Sequence, residues 1–481
     1  MAGQMIRKEP ELIQGGMGVG ISNWELARSV AEAGERLGRP VLGVVSGTGL
    51  AITMVLRLRK GDPNTRRALE AFCVPEIGHG ILDRYWLSTG KSSLSRLPPK
   101  PEVLVSGSDE KKADLARLVV AANFAEVWLA KEGHSSPIGI NYLEKVQLPR
   151  LPELFGAMLA GVDYVLMGAG IPNQVPGVLD ELADWQVASY KVDVAGSERF
   201  VMSFDPRTVI PERYRVKLQR PKFLAIVSHH ALAQALAHKA TGEVDGFVVE
   251  GPTAGGHNAP ARGKELSESG EPIYGERDKP DLAKMRDLGK PFWMAGGYST
   301  AERLDEAKNA GATGIQVGSA FALCQESGLR EDIKQELIRK SVSGELQVMA
   351  DPVASPSGFP FQVVRMEGSL SDPAVYEARR RSCSLGYLVE RYRTTKGRIG
   401  FRCPAEPAKA YVKKGGDEAS TQGRVCLCNG LAAASKDGQP DPSHAEPHIA
   451  TFGQDHRFIA DLLTDAESSY SAADVVGSIL S

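Results

Sequence analysis

The chain has 481 residues, 42% hydrophobic and 24% charged, with a formal net charge of −2. These values are typical of a globular protein with one large core and a second, smaller unit, and they exclude a general attraction to nucleic acid or membranes. The start, MAGQMIRKEPELIQGG, lacks the apolar region of a signal peptide. Six cysteines in a chain of this length indicate a reducing compartment, so we expect a cytoplasmic protein.

Short apolar runs alternate with amphipathic stretches along the first two thirds of the chain. This alternation predicts a parallel α/β barrel or a doubly wound sheet. Both architectures bind ligands at the carboxyl ends of their strands. The predicted strands are Leu12–Gln14, Val41–Val45, Ile138–Asn141, Tyr164–Met167, Phe223–Val227, Gly246–Glu250, Pro291–Ala295 and Gly314–Val317.

Helix-start patterns follow two of these strands. Ser22 with Glu25, and Ser299 with Glu302, have the spacing of a capping box. We therefore expect one helix to begin after each serine.

Two insertions and an extension accompany the predicted barrel. Residues 180–218 contain VASYKVDV and RFVMSF, which predict an inserted hairpin, and the Gly-, Ser- and Pro-rich residues 78–100 form a second insertion. Buried runs become fewer near residue 345. We therefore predict a barrel over residues 1–345 and a C-terminal extension over residues 346–481.

Glycine-rich turns lie at the ends of four predicted strands, in the segments LIQGGMGVGIS, EGPTAGGHNAP, AGGYS and QVGSAF. The last two follow the seventh and eighth strands, whose loops commonly form a phosphate site in barrels. Backbone N–H groups without side chains can approach a phosphate dianion closely. The predicted donors are those of Gly296, Gly297, Gly318 and Ser319.

These turns resemble the nitronate monooxygenase (2-nitropropane dioxygenase) family and are also similar to FMN-dependent enoyl-acyl carrier protein reductases. The shared motifs span roughly residues 10–345 in the family's order: IQGGMG, GIN, GAGIP, AGGH, AGGYS and GIQVGSAFALCQES. The resemblance implies an FMN-binding (β/α)₈ TIM-type barrel that acts on a small molecule.

The resemblance also implies which residues contact the cofactor and substrate. Near the flavin ring it places Gln14, Gly15, Met17, Asn141 and Gly168. Around the phosphate it places Gly255, Gly256, Gly296, Gly297, Gly318 and Ser319. His257 would face the substrate, where an imidazole can transfer a proton near neutral pH.

Gly168 separates the two possible reactions. Nitronate monooxygenases carry a catalytic histidine in the turn that reads MGAGIP here, whereas the glycine is similar to the enoyl reductases. The sequence therefore predicts oxidation of a small nitronate with oxygen, or alternatively reduction of an enoyl thioester of acyl carrier protein or CoA with NAD(P)H. A non-redox barrel that binds a phosphorylated metabolite is a third interpretation.

His229 and His230 either reach the ligand, in place of the missing base, or begin a helix.

The C-terminal extension contains two further candidate sites. Zinc or an iron–sulfur cluster could bind the thiolates of Cys383, Cys403, Cys426 and Cys428, although separate buried thiols explain them equally well. The stretch from Arg379 to Arg402 holds eight Lys or Arg and one acid. It is typical of a solvated helical face, more than of a nucleic-acid groove, and would also suit docking of an acidic acyl carrier protein.

Overall fold

A computed structural model describes residues 8–87, 97–196, 198–439, 445–463 and 469–481. None of the helices in these ranges is long and apolar enough to cross a membrane. The strands are β1 (Leu12–Gln14), β2 (Val41–Ser46), β3 (Ile138–Leu143), β4 (Tyr164–Gly168), β5 (Ala188–Val194), β6 (Glu198–Phe204), β7 (Lys222–Val227), β8 (Gly246–Glu250), β9 (Phe292–Ala295), β10 (Gly314–Val317), β11 (Val348–Asp351), β12 (Phe361–Val364), β13 (Glu390–Arg393) and β14 (Ile399–Arg402). The helices are α1 (Trp24–Leu37), α2 (Leu50–Arg59), α3 (Pro63–Glu70), α4 (Pro75–Tyr85), α5 (Val103–Ser106), α6 (Asp109–Ala130), α7 (Arg150–Leu159), α8 (Val175–Ala183), α9 (His230–Lys239), α10 (Leu282–Asp287), α11 (Ala301–Asn309), α12 (Ser319–Ala322), α13 (Glu331–Val342), α14 (Pro373–Ala378), α15 (Ala408–Lys413), α16 (Leu427–Ala434), α17 (Ile459–Leu462) and α18 (Ala472–Leu480).

The eight predicted strands form a closed parallel barrel in the order β1, β2, β3, β4, β7, β8, β9, β10. Each prediction is confirmed, with strand ends that differ by at most two residues. The doubly wound alternative is excluded because the last strand pairs with the first, with Ile13 opposite Gln316. Closure of the barrel brings the carboxyl ends of all eight strands to one rim.

The barrel interior is packed with side chains. Neighbouring residues on a strand point to opposite faces, so Leu12 packs with the outer helices while Ile13 belongs to a separate apolar cluster. Trp293 is fully buried in that cluster, and its indole N–H donates to the Pro10 carbonyl at 2.7 Å. Because the interior is filled, a ligand has room only at the rim.

Both predicted helix starts are wrong by one residue. Asn23 caps α1 by accepting a hydrogen bond from Leu26 N at 2.8 Å, and Thr300 caps α11. Ser22 lies one residue too early because its hydroxyl is bonded within the first glycine turn, where it accepts from Met17 N at 2.8 Å.

The predicted hairpin in the first insertion is confirmed, since β5 and β6 pair antiparallel. Alternate β5 residues, including Tyr190 and Val192, are buried, and those between them are exposed. In the second insertion, α4 ends at Tyr85, and residues 88–96 lie outside the described residues. That insertion stays a prediction.

The C-terminal extension contains the hairpins β11–β12 and β13–β14 and ends in α18. Helix α18 packs against α1 and α11. Its last turn is held by Arg39, whose guanidinium donates to the Leu480 carbonyl at 2.6 Å. The end of the extension therefore returns to the outer ring of barrel helices. The division of the chain at residue 345 stays a prediction.

Candidate active site at the barrel mouth

A cavity of about 240 Å³ opens at the carboxyl rim of the barrel. All four glycine turns contribute to its wall, and so do Tyr387, Leu388 and the segment 449–453 of the extension. The predicted site residues that line it are Gly15, Met17, Asn141, Gly168, Gly255, Gly256, His257, Gly296, Gly297, Gly318 and Ser319.

Gln14 lies behind this wall rather than in it. Its side chain is fully buried; its amide donates to Ser22 Oγ at 2.9 Å and its carbonyl accepts from Val44 N at 2.9 Å. Ser22 Oγ in turn donates to the Gly15 carbonyl at 2.9 Å. Gln14 therefore fixes the shape of the first glycine turn and ties it to β2.

The turns after β9 and β10 face the same hollow. Gly297 has a φ of +81°, which favours glycine. A β-carbon added to Gly297 or Gly318 would meet its nearest neighbour at 3.7 Å, an ordinary van der Waals contact, so neither backbone is crowded. Ser319 Oγ accepts a hydrogen bond from Gly453 N at 2.9 Å, which joins the extension to the rim. This bare backbone has the form that a bound phosphate requires.

The part of the wall formed by β1, β3 and β10 has close backbone packing and an unsatisfied polar atom. A β-carbon on Gly16 would lie 2.3 Å from Asn141 Cβ, so only glycine allows this turn to reach β3. Gln316 lines the cavity, and its Oε1 is a buried acceptor without a hydrogen-bond partner in the described part of the chain. A buried carbonyl of this kind is costly unless a ligand donates to it. The uracil-like edge of a flavin offers such an N–H donor.

Gly168 lies at the end of β4, against β7. A β-carbon at this position would be 2.9 Å from Ile226 Cβ, closer than side chains normally approach. The packing therefore leaves no room for the histidine that nitronate monooxygenases carry in this turn.

His257 is held by the C-terminal extension. Its Nε2 is 2.7 Å from the hydroxyl of the buried Ser355, and its ring meets Phe361 edge-on at 4.9 Å. Burial, with a contribution from the nearby Lys145 charge, lowers the His257 pKa to about 3. The imidazole is therefore neutral at physiological pH.

Glu250, at the end of β8, lines the cavity although the sequence analysis did not select it. Burial raises its pKa to about 8, so the carboxyl is protonated at neutral pH and can donate a hydrogen bond. Its position as the last residue of a barrel strand, immediately before a glycine turn, was the available signal.

His229 and His230 do not line the cavity. His229 caps α9, with Nδ1 accepting from Ala231 N at 3.1 Å, and His230 Nδ1 accepts from Asp281 N at 3.0 Å. The helix-start interpretation therefore fits the structure. Neither histidine replaces a base in the cavity.

The predicted metal ligands are reduced thiols in apolar surroundings. Across the described ranges, no group of three or more His, Cys, Asp or Glu side chains could hold a metal ion. Burial raises the pKa of Cys428 to about 12 and also raises that of Cys383, Cys403 and Cys426. The arrangement of the described side chains therefore favours the interpretation as buried thiols.

The basic stretch forms the hairpin β13–β14, so the prediction of a helical face is wrong there. Much of its charge is used within the protein. Arg393 pairs with Glu198 at 2.7 Å, and Arg402 pairs with Glu390 at 2.6 Å. The hairpin residues alternate across a two-stranded sheet, which is why a helical pattern does not fit.

A family model described as nitronate monooxygenase matches residues 186–350. These residues run from the β5–β6 hairpin through β10 and include the turns around His257, Gly297 and Gly318. The chain is 29% identical over 172 residues to a probable nitronate monooxygenase of Bacillus subtilis. That alignment covers 34% of this chain and 45% of the relative, so the match spans about half of the curated protein.

Two solved structures resemble the whole chain. FabK from Thermotoga maritima has a TM-score of 0.47 and 15% identity, with coverage of 98% of this chain and 92% of the other. Nitroalkane oxidase from Streptomyces ansochromogenes has a TM-score of 0.45 and 15% identity, with coverage of 98% and 95%. Residues 186–350 are thus similar to the nitronate monooxygenase family, as the glycine-rich motifs predict.

Proposed function

We propose that the protein is an FMN-dependent oxidoreductase. The observation that carries the proposal is the cavity that Gly297 and Gly318 both line, where a β-carbon on either residue would have no neighbour closer than 3.7 Å. Gly296, Gly297, Gly318 and Ser319 would hold the phosphate, and Gly15, Met17, Asn141 and Gly168 would border the flavin ring. When bound, FMN supplies hydride or single-electron transfer.

For the reaction itself, we favour reduction of an activated double bond with NAD(P)H as donor. Gly168 packs against Ile226 and provides no base for removing a proton from a nitroalkane. Among the titratable groups that line the cavity, His257 and the protonated Glu250 can hold or move a proton beside a substrate. After hydride addition to one carbon of an enoyl thioester, the neighbouring carbanion needs one proton, which His257 would deliver.

Nitronate oxidation is the second candidate because of the family match over residues 186–350. A nitronate is already deprotonated, so its oxidation requires no base at position 168. The same cavity would bind it beside the flavin, and oxygen would accept the electrons.

For the enoyl reaction we also propose an acidic acyl carrier protein as partner. Arg393 and Arg402 are paired internally, whereas Arg380, Lys396 and Arg398 are exposed. Reversing the charge of these three exposed residues should raise KM for a carrier-protein thioester. KM for the matching CoA thioester should not change.

The test begins with the absorption spectrum of the purified protein before and after anaerobic addition of NAD(P)H. Releasable FMN that NAD(P)H bleaches, followed by reoxidation with an enoyl thioester, supports the proposal. Oxygen uptake with a nitronate and no nicotinamide supports the second candidate. A protein that neither carries nor binds FMN contradicts both and favours a non-redox, phosphate-binding barrel.

A further inference from the structure

A second cavity lies outside the barrel mouth, between β5–β6 and β13. This outer groove has a volume of about 1050 Å³, and its wall includes Lys145, Ser357 and Phe359. It does not contain His257, and the barrel-mouth cavity does not contain Lys145 or Ser357. The two cavities are therefore separate spaces that share a wall.

An unbroken chain of hydrogen bonds crosses this wall. Lys145 Nζ donates to Ser357 Oγ at 3.0 Å, Ser357 Oγ lies 2.7 Å from Ser355 Oγ, and Ser355 Oγ lies 2.7 Å from His257 Nε2. Ser357 N also donates to Ser355 Oγ at 3.2 Å. Two proton arrangements satisfy every contact, and in one of them each hydroxyl accepts from the lysine side and donates toward the histidine.

The arrangement that can pass a proton inward corresponds to one tautomer of His257. When Nε2 accepts from Ser355, the neutral ring carries its proton on Nδ1. In the described part of the chain, Nδ1 has no protein hydrogen-bond partner. It is the ring nitrogen left for a substrate.

The low basicity of His257 makes such a connection necessary. An imidazole with a pKa near 3 holds almost no second proton at neutral pH, so a stored imidazolium cannot be the proton source. A neutral imidazole can still release its Nδ1 proton if Nε2 receives another at the same time. The ring then changes tautomer and stays uncharged.

We propose that Lys145, Ser357 and Ser355 form a proton relay that resupplies His257 from the outer groove, a role that rests on the proposed oxidoreductase function. His257 releases its Nδ1 proton to the substrate carbanion and takes one from Ser355. Ser355 is reprotonated by Ser357, Ser357 by the Lys145 ammonium, and the resulting amine by water in the groove. One proton enters and one leaves, and no electrons move along the relay.

Lys145 suits the outer end of this relay. Burial lowers its pKa to about 7, so its ammonium and amine forms are both populated at neutral pH. Its Nζ lies 3.0 Å from the Phe359 ring centroid, a contact that favours the ammonium form. Other titratable or charged groups along the groove are Glu144, Asp180, Glu181, Tyr190, Lys191, Asp193, Arg199, Glu390 and Arg391.

The chain offers a matched control for the relay serines. Ser369 and Ser371 form a second Ser-x-Ser turn, with their hydroxyls 2.8 Å apart and Ser371 N donating to Ser369 Oγ at 3.1 Å. This turn has the same local geometry but is not bonded to Lys145 or His257. Ser371→Ala therefore controls for the loss of a turn hydroxyl.

The first test does not depend on activity. In protein with ¹⁵N-labelled histidine, the His257 resonances, assigned with His257→Asn, should report the Nδ1–H tautomer and shift with a midpoint near neutral pH. Lys145→Met and Ser357→Ala should abolish that midpoint, and Ser371→Ala should keep it. Unchanged His257 titration in both relay variants would overturn the relay.

The second test uses the reductase reaction with an enoyl thioester. In the wild type, the rate should fall above neutral pH because Lys145 loses its proton. Lys145→Met and Ser357→Ala should slow the protonation step about 100-fold and remove this pH dependence. Ser371→Ala should keep the wild-type rate and pH profile. Lys145→Arg, which stays charged, should also lack that fall. Wild-type rates and profiles in both relay variants would contradict the proposal. If the wild-type protein reduces no enoyl substrate, the proposed function fails and the histidine spectra still decide the relay.

Discussion

Asp437 of the C-terminal extension lies 3.0 Å from Arg57 Nε, and the contact is buried. On the other side of the guanidinium, Glu126 accepts from Nη1 at 2.6 Å. The three side chains are at most 10% exposed and join α2, α6 and the extension. Breaking a buried pair from one side leaves uncompensated charge, which is why such contacts are costly to lose.

We therefore expect Arg57→Leu to lower the free energy of unfolding by about 3–5 kcal/mol, because two carboxylates would remain buried without a cation. The matched control is Arg67→Leu, which removes the exposed pair with Glu132 and should cost less than about 1 kcal/mol. Urea unfolding of both variants measures the difference. If both variants lost the same free energy of unfolding, the buried ion pair would contribute no more to stability than the exposed one.

The sequence predicted those parts of the fold that depend on local patterns. Short apolar runs such as Gly246–Glu250 identified all eight barrel strands, and glycines such as Gly297 marked the rim. The features that the sequence analysis did not predict depend on contacts between segments far apart in the chain. Nothing near Ser355 indicates that its hydroxyl meets His257, 98 residues away in the chain.

Two errors in the site have a similar origin. Gln14 stands beside the glycine turn in sequence, but its side chain turns inward because Val44 N and Ser22 supply its hydrogen bonds. The sequence analysis also did not select Phe452 and its neighbours, which help to line the cavity. Whether so short a segment is buried depends on its tertiary contacts, and these cannot be read from a single sequence.

The contact between Gly168 and Ile226 predicts how the site responds to an added side chain. Gly168→Ala should destabilise the protein by about 1–3 kcal/mol, because the new β-carbon overpacks the wall. Gly168→His should be worse and should not create a working base. Gly80→Ala, at an exposed helical glycine with open space around it, should instead stabilise by about 1 kcal/mol.

Thermal and urea unfolding measure these effects, and the double variant Gly168→Ala with Ile226→Ala tests their cause. If the clash is responsible, the two substitutions together should cost less than the sum of their separate effects. Strict additivity would show that Ile226 is not the obstacle.

Asp455 places a carboxylate beside the proposed phosphate turns. Its Oδ2 would lie 3.8 Å from a β-carbon on Gly297, and it forms a 3.4 Å ion pair with the exposed Arg457. We expect Asp455→Asn to bind FMN roughly threefold to tenfold more tightly, because a charge repulsion is removed. Riboflavin has the same ring but no phosphate and serves as the matched ligand. Fluorescence titration should show no gain for riboflavin; an equal gain for both ligands would place the effect elsewhere in the site.

Glu250 should make the proposed binding of FMN dependent on pH. Its pKa is about 8 in the folded protein and 4.5 ordinarily, so the carboxyl ionises inside the cavity only above about pH 8. The added negative charge should then weaken binding of the anionic FMN. Glu250→Gln keeps the shape and the donor capacity without the charge. FMN affinity of the wild type should fall above pH 8, and that of the variant should stay flat.

The same shift gives a stability signature in the protein freed of FMN. Between pH 4.5 and 8 the folded state keeps a proton that the unfolded state has lost, so stability should fall as pH rises through this window. Relative to the wild type, Glu250→Gln should gain free energy of unfolding over that interval by less than about 1.4 kcal/mol per pH unit. The gain should level off above pH 8, and Glu110→Gln, at an exposed glutamate of α6, should show none. If the stability of Glu250→Gln differed from that of the wild type by the same amount at every pH, Glu250 would be ionised in the folded protein over this range. FMN binding would then not be expected to weaken near pH 8.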